Sequence, residues 1–311
     1  MEKRILIIGS EGFIGKYFIN YYIKHYDAIE KLYMVDILDI KKKNYFKCNV
    51  TNFEKIKRII QKIKPDEIYN FSGTFSNILE EDYLNNVIAT RNLFESIIQN
   101  NNINCKILIN GSAAEYGFIK KKDGIINEDY PLNPISFYGL SKVYQTFLAK
   151  TYFLRNNIKV YIARPFNIVG YGISQKLFIG RLINEIKLNL KNKSKIILGN
   201  LDNERDYLDI EDLVRAYEII MNNSAPGEIY NIGSAESIKI KELLDIFLKV
   251  FKINKNEVEI DKNLIRKFDI PKIVADNSKL KRLNWEKKIL IEDSVRKIKD
   301  LMFNEIYKNH N

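Results

Sequence analysis

Residues 4–15 of the 311-residue chain are Arg4-Ile-Leu-Ile-Ile-Gly9-Ser-Glu-Gly12-Phe-Ile-Gly15. The short apolar run is typical of a buried parallel strand, and a helical pattern follows the glycines to about His25. Glycines at this spacing let the chain turn sharply, approach a phosphate and pack the helix on the strand. The stretch therefore predicts a dinucleotide site at a helix N-terminus, contacted by Gly9, Gly12, Phe13, Ile14 and Gly15.

A second predicted strand, about Lys31–Val35, ends at Asp36. This is roughly 20 residues after the last glycine, where an acidic side chain takes the ribose hydroxyls of a dinucleotide. A carboxylate there repels a 2′-phosphate, so we expect NAD(H), with NADP(H) less favoured. The alternative is that Asp36 only opens a turn at the end of the strand.

Further apolar runs alternate with helical patterns along the first half of the chain. The strands predicted are Tyr45–Cys48, Glu67–Phe71, Lys106–Asn110 and Val160–Ala163. This alternation indicates an α/β fold, a Rossmann-type doubly wound parallel sheet whose ligands bind outside the carboxyl ends of the strands. The residues expected near the cofactor at those ends are Asp36, Ile37, Asn49, Val50, Phe71, Ser72, Gly73 and Pro165, with Ser112 as a functional hydroxyl.

The alternation loosens after the strand at Val160–Ala163. We therefore predict a cofactor-binding domain of residues 1–166 plus about 205–233. A smaller substrate domain, interleaved with the sheet, takes residues 167–204 and 234–311.

The segment Ser136-Phe-Tyr-Gly-Leu-Ser-Lys142 has a Tyr and a Lys four residues apart. Ser136 is a candidate N-cap, and on a helix this spacing places Tyr138 and Lys142 on one face. A nearby ammonium favours the phenolate, so the pair suits proton transfer to or from a substrate oxygen. Such a pair also occurs by chance in a chain with 19 Tyr, and it is diagnostic only together with the other features.

Composition excludes several classes of function. The only histidines, His25 and His310, have no metal-ligand spacing, so we expect no metal site and no Ser-His-Asp triad. The formal charge of +11 comes from lysines spread along the chain, which favours solvated faces or attraction of an anionic substrate over nucleic-acid binding. No apolar run is long enough for a membrane helix and Cys48 and Cys105 are lone cysteines, so we expect a cytoplasmic protein.

Taken together, the glycines, Asp36, Ser112, Tyr138 and Lys142 resemble the extended short-chain dehydrogenases/reductases, the NAD-dependent epimerase/dehydratase family. The resemblance covers essentially the whole chain. It implies that Tyr138 is the catalytic acid–base, that Lys142 holds the cofactor ribose and lowers the pKa of the Tyr, and that Ser112 hydrogen-bonds the reacting oxygen. Family members often dimerise through the helices that bear Tyr138 and Asn86–Ile98, so the resemblance also implies a homodimer.

Segments of the second half are similar to the GDP-mannose 4,6-dehydratase and GDP-4-keto-6-deoxy-D-mannose reductase group. These segments are Arg164-Pro-Phe-Asn167, Phe178-Ile-Gly-Arg181, Leu198–Tyr207 and Arg266–Pro271. The similarity implies a nucleotide-sugar domain and a GDP-linked sugar substrate, with arginines on the diphosphate and ribose. The substrate contacts implied are Ser76, Glu115, Asn167, Phe178, Arg181, Asn200, Arg205, Arg266 and Asp269.

One departure from the dehydratases matters for the reaction. Dehydratases of this kind carry a carboxylate directly after the catalytic Ser or Thr, whereas this chain has Ala113 and Ala114. Methyl groups cannot move protons, so dehydration is not expected. We predict hydride transfer between NAD(H) and C4 of a GDP-linked 6-deoxyhexose or heptose, with the direction open, in surface-polysaccharide sugar biosynthesis. An NAD-dependent 4-epimerase is the alternative enzyme, and a non-catalytic nucleotide sensor on this fold is the alternative outside catalysis.

Overall fold

The structure is a computed structural model that describes residues 3–26, 31–120, 124–264 and 270–308, without the side chains of 306–308. The helices are α1 (Phe13–Tyr26), α2 (Phe53–Ile63), α3 (Leu79–Asp82), α4 (Ala89–Gln99), α5 (Phe137–Asn156), α6 (Phe178–Asn192), α7 (Ile210–Asn223), α8 (Ile240–Phe251), α9 (Ser278–Lys281) and α10 (Ile291–Lys308). A π-helical turn, Tyr83–Ile88, joins α3 to α4, and 3-10 turns lie at Ala113–Glu115, Lys255–Glu257 and Lys262–Leu264.

The strands, also numbered along the chain, are β1 (Ile5–Ile8), β2 (Leu32–Asp36), β3 (Tyr45–Lys47), β4 (Glu67–Asn70), β5 (Lys106–Asn110), β6 (Ile125–Ile126), β7 (Lys159–Pro165), β8 (Asn167–Val169), β9 (Ile196–Leu198), β10 (Glu204–Arg205), β11 (Tyr207–Asp209), β12 (Ile229–Ile232), β13 (Ile238–Lys239), β14 (Val258–Ile260) and β15 (Lys272–Ala275). The strands β1 to β5 and β7 lie within one or two residues of the bounds that the sequence predicts, whereas the short β6 was not predicted.

A seven-stranded parallel sheet in the order β12-β7-β5-β4-β1-β2-β3 organises the molecule. Every residue of β1 is buried, because helices cover both faces of the sheet. On α2, the isoleucines Ile56, Ile59, Ile60 and Ile63 recur at helical spacing and face the sheet. Fully burying such a side chain stabilises the fold by about 1.5–3 kcal/mol. The sheet confirms the predicted Rossmann-type α/β class.

A separate apolar cluster lies beyond the sheet. It is built mainly from α6, α8 and α10, with Ile186, Leu243, Phe247 and Ile298 at its centre. Its members fall within residues 169–207 and 243–302, most of which belong to the predicted substrate domain. Leu280 and Trp285 instead pack with α7 against one face of the central sheet, so this part of the chain belongs to the core of the sheet. The exact division into domains stays a prediction.

The parallel register brings functional segments to one edge. Ile8, Val35 and Asn70 are paired in register across β1, β2 and β4, so their strands end side by side. Gly9, Asp36 and Ser72 follow at that same edge, where ligands of such sheets bind. In the described part of the chain no helix is both long and apolar enough to cross a membrane.

Candidate active site

The glycine loop after β1 leaves no room for a side chain at Gly9 or Gly15. Gly9 has φ +76°, and a Cβ on it would lie 2.8 Å from the backbone nitrogen of Ser72. A Cβ on Gly15 would lie 2.2 Å from the carbonyl oxygen of Gly9, so glycine is what lets α1 start this close to the strand. Phe13 and Ile14, the first residues of α1, are half-buried beside the loop. The cradle and the helix N-terminus together fit a dinucleotide pyrophosphate.

Asp36 lies at the tip of β2 and points toward this loop. Its Oδ2 accepts a hydrogen bond from the backbone N–H of Glu11 at 2.9 Å, and its Oδ1 accepts one from that of Ile37 at 2.8 Å. Ile37 is exposed at the edge of the sheet. Asn49 is exposed, and the buried Val50 accepts a hydrogen bond on its carbonyl from Asn92. Asn49 and Val50 follow β3, which pairs with β2 so that Lys47 is in register with Asp36, and they therefore lie at the same edge of the sheet as Asp36.

Tyr138, Lys142 and Ser112 meet where β5 ends against α5. Ser136 caps α5 by accepting from the N–H of Gly139 at 3.0 Å, which confirms the predicted cap and places Tyr138 in the first turn. The side chain of Ser112 lies close enough to the half-buried Tyr138 to act on the pKa of its phenol. Lys142 is buried, and its Nζ lies 5.8 Å from the centroid of the Tyr138 ring. The three groups predicted to do the chemistry are together.

The electrostatics of this trio differ from the sequence-based expectation. Burial raises the pKa of Tyr138 to about 12. The side chain of Ser112 opposes this rise, and the negative charges of Glu115 and Asp82 add to it. Burial lowers the pKa of Lys142 to about 8. The Lys142 ammonium donates to the carbonyl of Asn110 at 2.8 Å and to Gln145 Oε1 at 3.0 Å, not to the phenol. The expectation of a lowered Tyr138 pKa is therefore wrong for this arrangement.

Sequence reasoning missed the buried polar network that holds Lys142. Gln145 Nε2 donates to Thr90 Oγ1 at 2.7 Å and to the carbonyl of Asn86 at 3.1 Å, which turns Gln145 Oε1 toward Lys142. A Cβ on Gly73 would lie 2.5 Å from Asn86 Oδ1, so Gly73 gives this network space. The sequence feature that could have indicated this network is Gln145, which follows Lys142 by three residues and so lies on the same face of its helix.

Glu115 does not face the sugar side of the site. It is fully buried, and its Oε2 accepts from Arg164 Nε at 2.9 Å and from Thr146 Oγ1 at 2.8 Å. Its Oε1 accepts from the N–H of Ser112 at 3.0 Å, completing a capping box over the 3-10 turn. The expected sugar contact of Glu115 is corrected, because every oxygen of the carboxylate is engaged inside the protein.

The remaining predicted substrate residues are spread over the second half. Asn167 is half-buried and donates to the carbonyl of Asp206 at 3.1 Å, whereas Arg181 is exposed on α6. Arg205 is half-buried and donates to the carbonyl of Glu204 at 2.9 Å.

The other members of that set are more varied. Phe178 is half-buried at the start of α6, and Asn200 accepts from the N–H of Asp202 at 2.9 Å. The Ser76 hydroxyl bonds Asp82 Oδ1 at 3.1 Å, which ties it to its own loop. Arg266 and Asp269 lie outside the described residues. Their ligand contacts stay predictions, and the described part holds no group of His, Cys, Asp or Glu suited to a metal ion.

The loop after β4 forms a wall of the site that the sequence did not indicate. The ring of Phe75 meets that of Tyr138 edge to face, with centroids 4.7 Å apart. Asp82 is buried and accepts from the N–H of Asn77 at 2.8 Å, and Asn77 Oδ1 accepts in turn from the N–H of Phe137 at 3.0 Å. The loop is therefore tied to the start of the helix that carries Tyr138.

A doubly wound sheet with a glycine cradle, an acidic β2 tip and a Ser-Tyr-Lys set defines an enzyme of the extended short-chain dehydrogenase/reductase class. The glycine cradle and the Asp36 carboxylate at the tip of β2 fit NAD. More particularly, the chain belongs to the GDP-mannose 4,6-dehydratase family, whose sequence profile matches residues 6–298.

Individual relatives span several activities. The chain is 28% identical over 282 residues to the GDP-6-deoxy-D-talose 4-dehydrogenase of Aggregatibacter actinomycetemcomitans, covering 89% of this chain and 90% of that protein. It is 27% identical to the dTDP-4-dehydro-6-deoxyglucose reductase of Escherichia coli, covering 96% of each. The solved UDP-glucose 4-epimerase of Thermotoga maritima with UDP-glucose superposes with a TM-score of 0.86 at 21% identity, over 97% of this chain and 99% of that one.

Proposed function

We propose that the chain is an NAD(H)-dependent oxidoreductase acting at C4 of a GDP-linked sugar, a 4-keto-6-deoxyhexose or a heptose, on a route to surface polysaccharides. The observation that carries the proposal is the set of groups around Tyr138. Ser112 lies beside the phenol, and the Lys142 ammonium lies 5.8 Å from the centroid of the ring. Residues 113 and 114 are alanines, and the Glu115 carboxylate is buried against Arg164. The site can move one proton at one oxygen, and it offers no carboxylate at this point for the further proton transfers of dehydration.

The chain's residues divide the work at the reacting oxygen. Tyr138 donates its proton to that oxygen during reduction and accepts one during oxidation, and Ser112 shares the hydrogen bonding of the same oxygen. Lys142, held by Asn110 and Gln145, places a positive charge beside the phenol and toward the cofactor ribose. A bound nicotinamide supplies or accepts the hydride.

The assignment of a GDP-linked sugar rests on the family and on the arginines. The family profile is that of GDP-mannose 4,6-dehydratase, and one relative acts on GDP-6-deoxy-D-talose. We assign Arg181 and Arg205 to the diphosphate and ribose of the substrate, because guanidinium groups bind diphosphates in a bidentate manner. We assign NAD(H) over NADP(H) because the Asp36 carboxylate stands where a 2′-phosphate would lie.

We also propose that the enzyme is a homodimer through α5 and the π-helical turn before α4. Tyr144, Phe147 and Leu154 lie on one face of α5 and are 45%, 56% and 77% exposed. Tyr83 and Leu84 of the π-helical turn add further exposed apolar surface, and the Tyr83 and Tyr144 rings lie 6.2 Å apart. Contiguous apolar surface of this kind marks an association face. Phe147→Glu should give a monomer in light-scattering chromatography where the parent gives a dimer; equal masses would refute this interface.

The test of the activity is a matched panel of nucleotide sugars. GDP-, dTDP- and UDP-linked 4-keto-6-deoxyhexoses are incubated with the purified protein and NADH, and NADH consumption is followed by absorbance. We expect the GDP-linked compound to be reduced fastest. Faster turnover of the dTDP- or UDP-linked compound would overturn the choice of base, and no consumption with any of them, together with no NAD⁺ reduction by the 4-hydroxy sugars, would overturn the reaction.

A 4-epimerase is the second candidate, since the chain is 27% identical to a putative UDP-glucose 4-epimerase of Methanocaldococcus jannaschii and proton transfer by Tyr138 at C4 would serve that reaction as well. An epimerase interconverts two 4-hydroxy sugars without net NADH consumption and releases no ketone. Product analysis by mass spectrometry and NMR after incubation with a GDP-hexose therefore separates the two activities.

A further inference from the structure

Glu11 lies in the glycine loop beside Asp36, although neither the glycine pattern nor the acidic β2 tip requires it. Its backbone N–H donates to Asp36 Oδ2 at 2.9 Å, which sets the two acidic residues next to each other on different segments. The Glu11 side chain is only 6% exposed. A carboxylate so well covered beside the ribose position is unlike the many solvated charges of this chain.

Lys42, from the loop between β2 and β3, covers this carboxylate. Its Nζ donates to Glu11 Oε1 at 2.7 Å, and Lys16 Nζ lies 4.0 Å from the other oxygen. Lys42 itself is 48% exposed. Its ammonium therefore belongs to the loop that follows Asp36, and its ion pair with Glu11 occupies it.

A phosphate monoester carries a charge of about −1.5 to −2 at neutral pH. At the ribose position it meets the carboxylate of Asp36, and the lysine that could offset the repulsion is already paired. The 2′-hydroxyl of NAD carries no charge, so the same arrangement does not oppose it. The ion pair between Glu11 and Lys42 therefore weakens the binding of NADP(H) and does not weaken the binding of NAD(H).

We propose that Glu11 is a second determinant of cofactor specificity, which holds Lys42 away from a 2′-phosphate and adds a negative charge beside Asp36. This inference rests on the proposed preference for NAD(H). It locates part of that preference in the glycine loop and predicts that Lys42 becomes a phosphate-binding residue once Glu11 is neutral.

The test measures binding of NADH and NADPH to the full chain by titration calorimetry, without any sugar. Glu11→Gln keeps the shape of the side chain and removes its charge. We expect NADPH to bind about fivefold tighter to this variant at low salt, with NADH within about twofold of the parent. The gain should shrink at higher ionic strength, because the new contact is an exposed ion pair.

Lys42 provides the matched test of the mechanism. Adding Lys42→Ala to Glu11→Gln should remove most of the NADPH gain, and Lys42→Ala alone should weaken NADPH further because it uncovers the Glu11 charge. Lys47→Ala is the control, since Lys47 is 53% exposed and pairs with Asp39 instead. It should change neither affinity.

The outcomes separate this inference from the proposal it rests on. A parent protein that binds NADPH more tightly than NADH would overturn the cofactor assignment itself. A parent that prefers NADH while Glu11→Gln leaves NADPH affinity unchanged would overturn the role of Glu11 alone. A gain that persists in the Glu11→Gln/Lys42→Ala variant would overturn the role of Lys42.

Discussion

Replacing Glu115 by Gln distinguishes a residue that holds the site together from one that touches the sugar. The Glu115 carboxylate and the Arg164 guanidinium are both buried, with side-chain exposures of 0% and 2%. Burial raises the pKa of Glu115, and the Arg164 guanidinium, whose Nε lies 2.9 Å from Glu115 Oε2, opposes that rise. Gln keeps the volume but leaves the charge of Arg164 buried without a counterion.

The expected cost is about 3 kcal/mol, the low end for breaking a buried ion pair by removing one partner. We place it at the low end because the amide oxygen of Gln can still accept from Arg164 Nε. In a chain of this size roughly 2 °C of Tm is lost per kcal/mol, which gives a fall of about 6 °C. The Ser112 N–H loses its acceptor when the amide oxygen turns to Arg164, but the hydroxyls of Ser112 and Tyr138 are still present. The turnover of the remaining folded enzyme should therefore stay within about tenfold of the parent, well above that of a variant without the Tyr138 hydroxyl.

The assay is thermal unfolding together with steady-state kinetics of the same preparations. Asp293→Asn is the control, because Asp293 pairs with Arg296 at an exposed position and should change Tm by no more than about 1 °C. Adding Arg164→Met to Glu115→Gln removes the unpaired charge and should recover part of the lost Tm. An unchanged Tm with a large rise in KM for the sugar would refute this reasoning and restore Glu115 as a substrate contact.

Three further predictions concern Lys142 and its surroundings. Lys142→Met should raise Tm at pH 7, because burial lowers the pKa of the lysine and its charged form opposes folding at that pH. The gain in Tm should shrink as pH rises from about 8 to 10.5, where the lysine loses its charge. Melting curves of both proteins at pH 7 and 10 check this, and a difference in Tm that is the same at both pH values contradicts it. Gln145→Leu removes an acceptor that favours the ammonium, so the alkaline limb of the rate profile should move below pH 8; an unmoved limb argues against a positioning role. Gly73→Ala places a Cβ 2.5 Å from Asn86 Oδ1 at φ +151° and should lower both Tm and NADH affinity, whereas parent-like values would show that the loop yields.

Local signals were enough to predict the sheet and the central trio. An apolar run before three spaced glycines leaves one arrangement that packs a helix on a strand, and the structure confirms it at Gly9 and Gly15. Tyr138 and Lys142 share a helix face through their spacing alone, and Ser112 follows a strand that pairs beside the one carrying Arg164.

What depends on contacts distant in sequence could not be predicted in the same way. Glu115 turns toward Arg164 because β5 and β7 are neighbours in the sheet, and Lys142 turns toward Asn110 because β5 ends beneath α5. The capping pattern Ser112-Ala-Ala-Glu115 was nevertheless visible, and it indicates a glutamate that folds back onto its own turn. The pKa of Tyr138 was misjudged because its sign depends on burial, which spacing does not reveal.

Tyr138→Phe tests the central claim most directly. The variant keeps the ring that packs against Phe75 and removes only the hydroxyl beside Ser112. Turnover of the GDP-linked substrate should fall at least ~10²-fold, the scale of general acid–base catalysis, while NADH affinity stays within about threefold. Turnover close to that of the parent, with NADH bound equally well, would contradict the assignment of Tyr138 as the group that moves the proton.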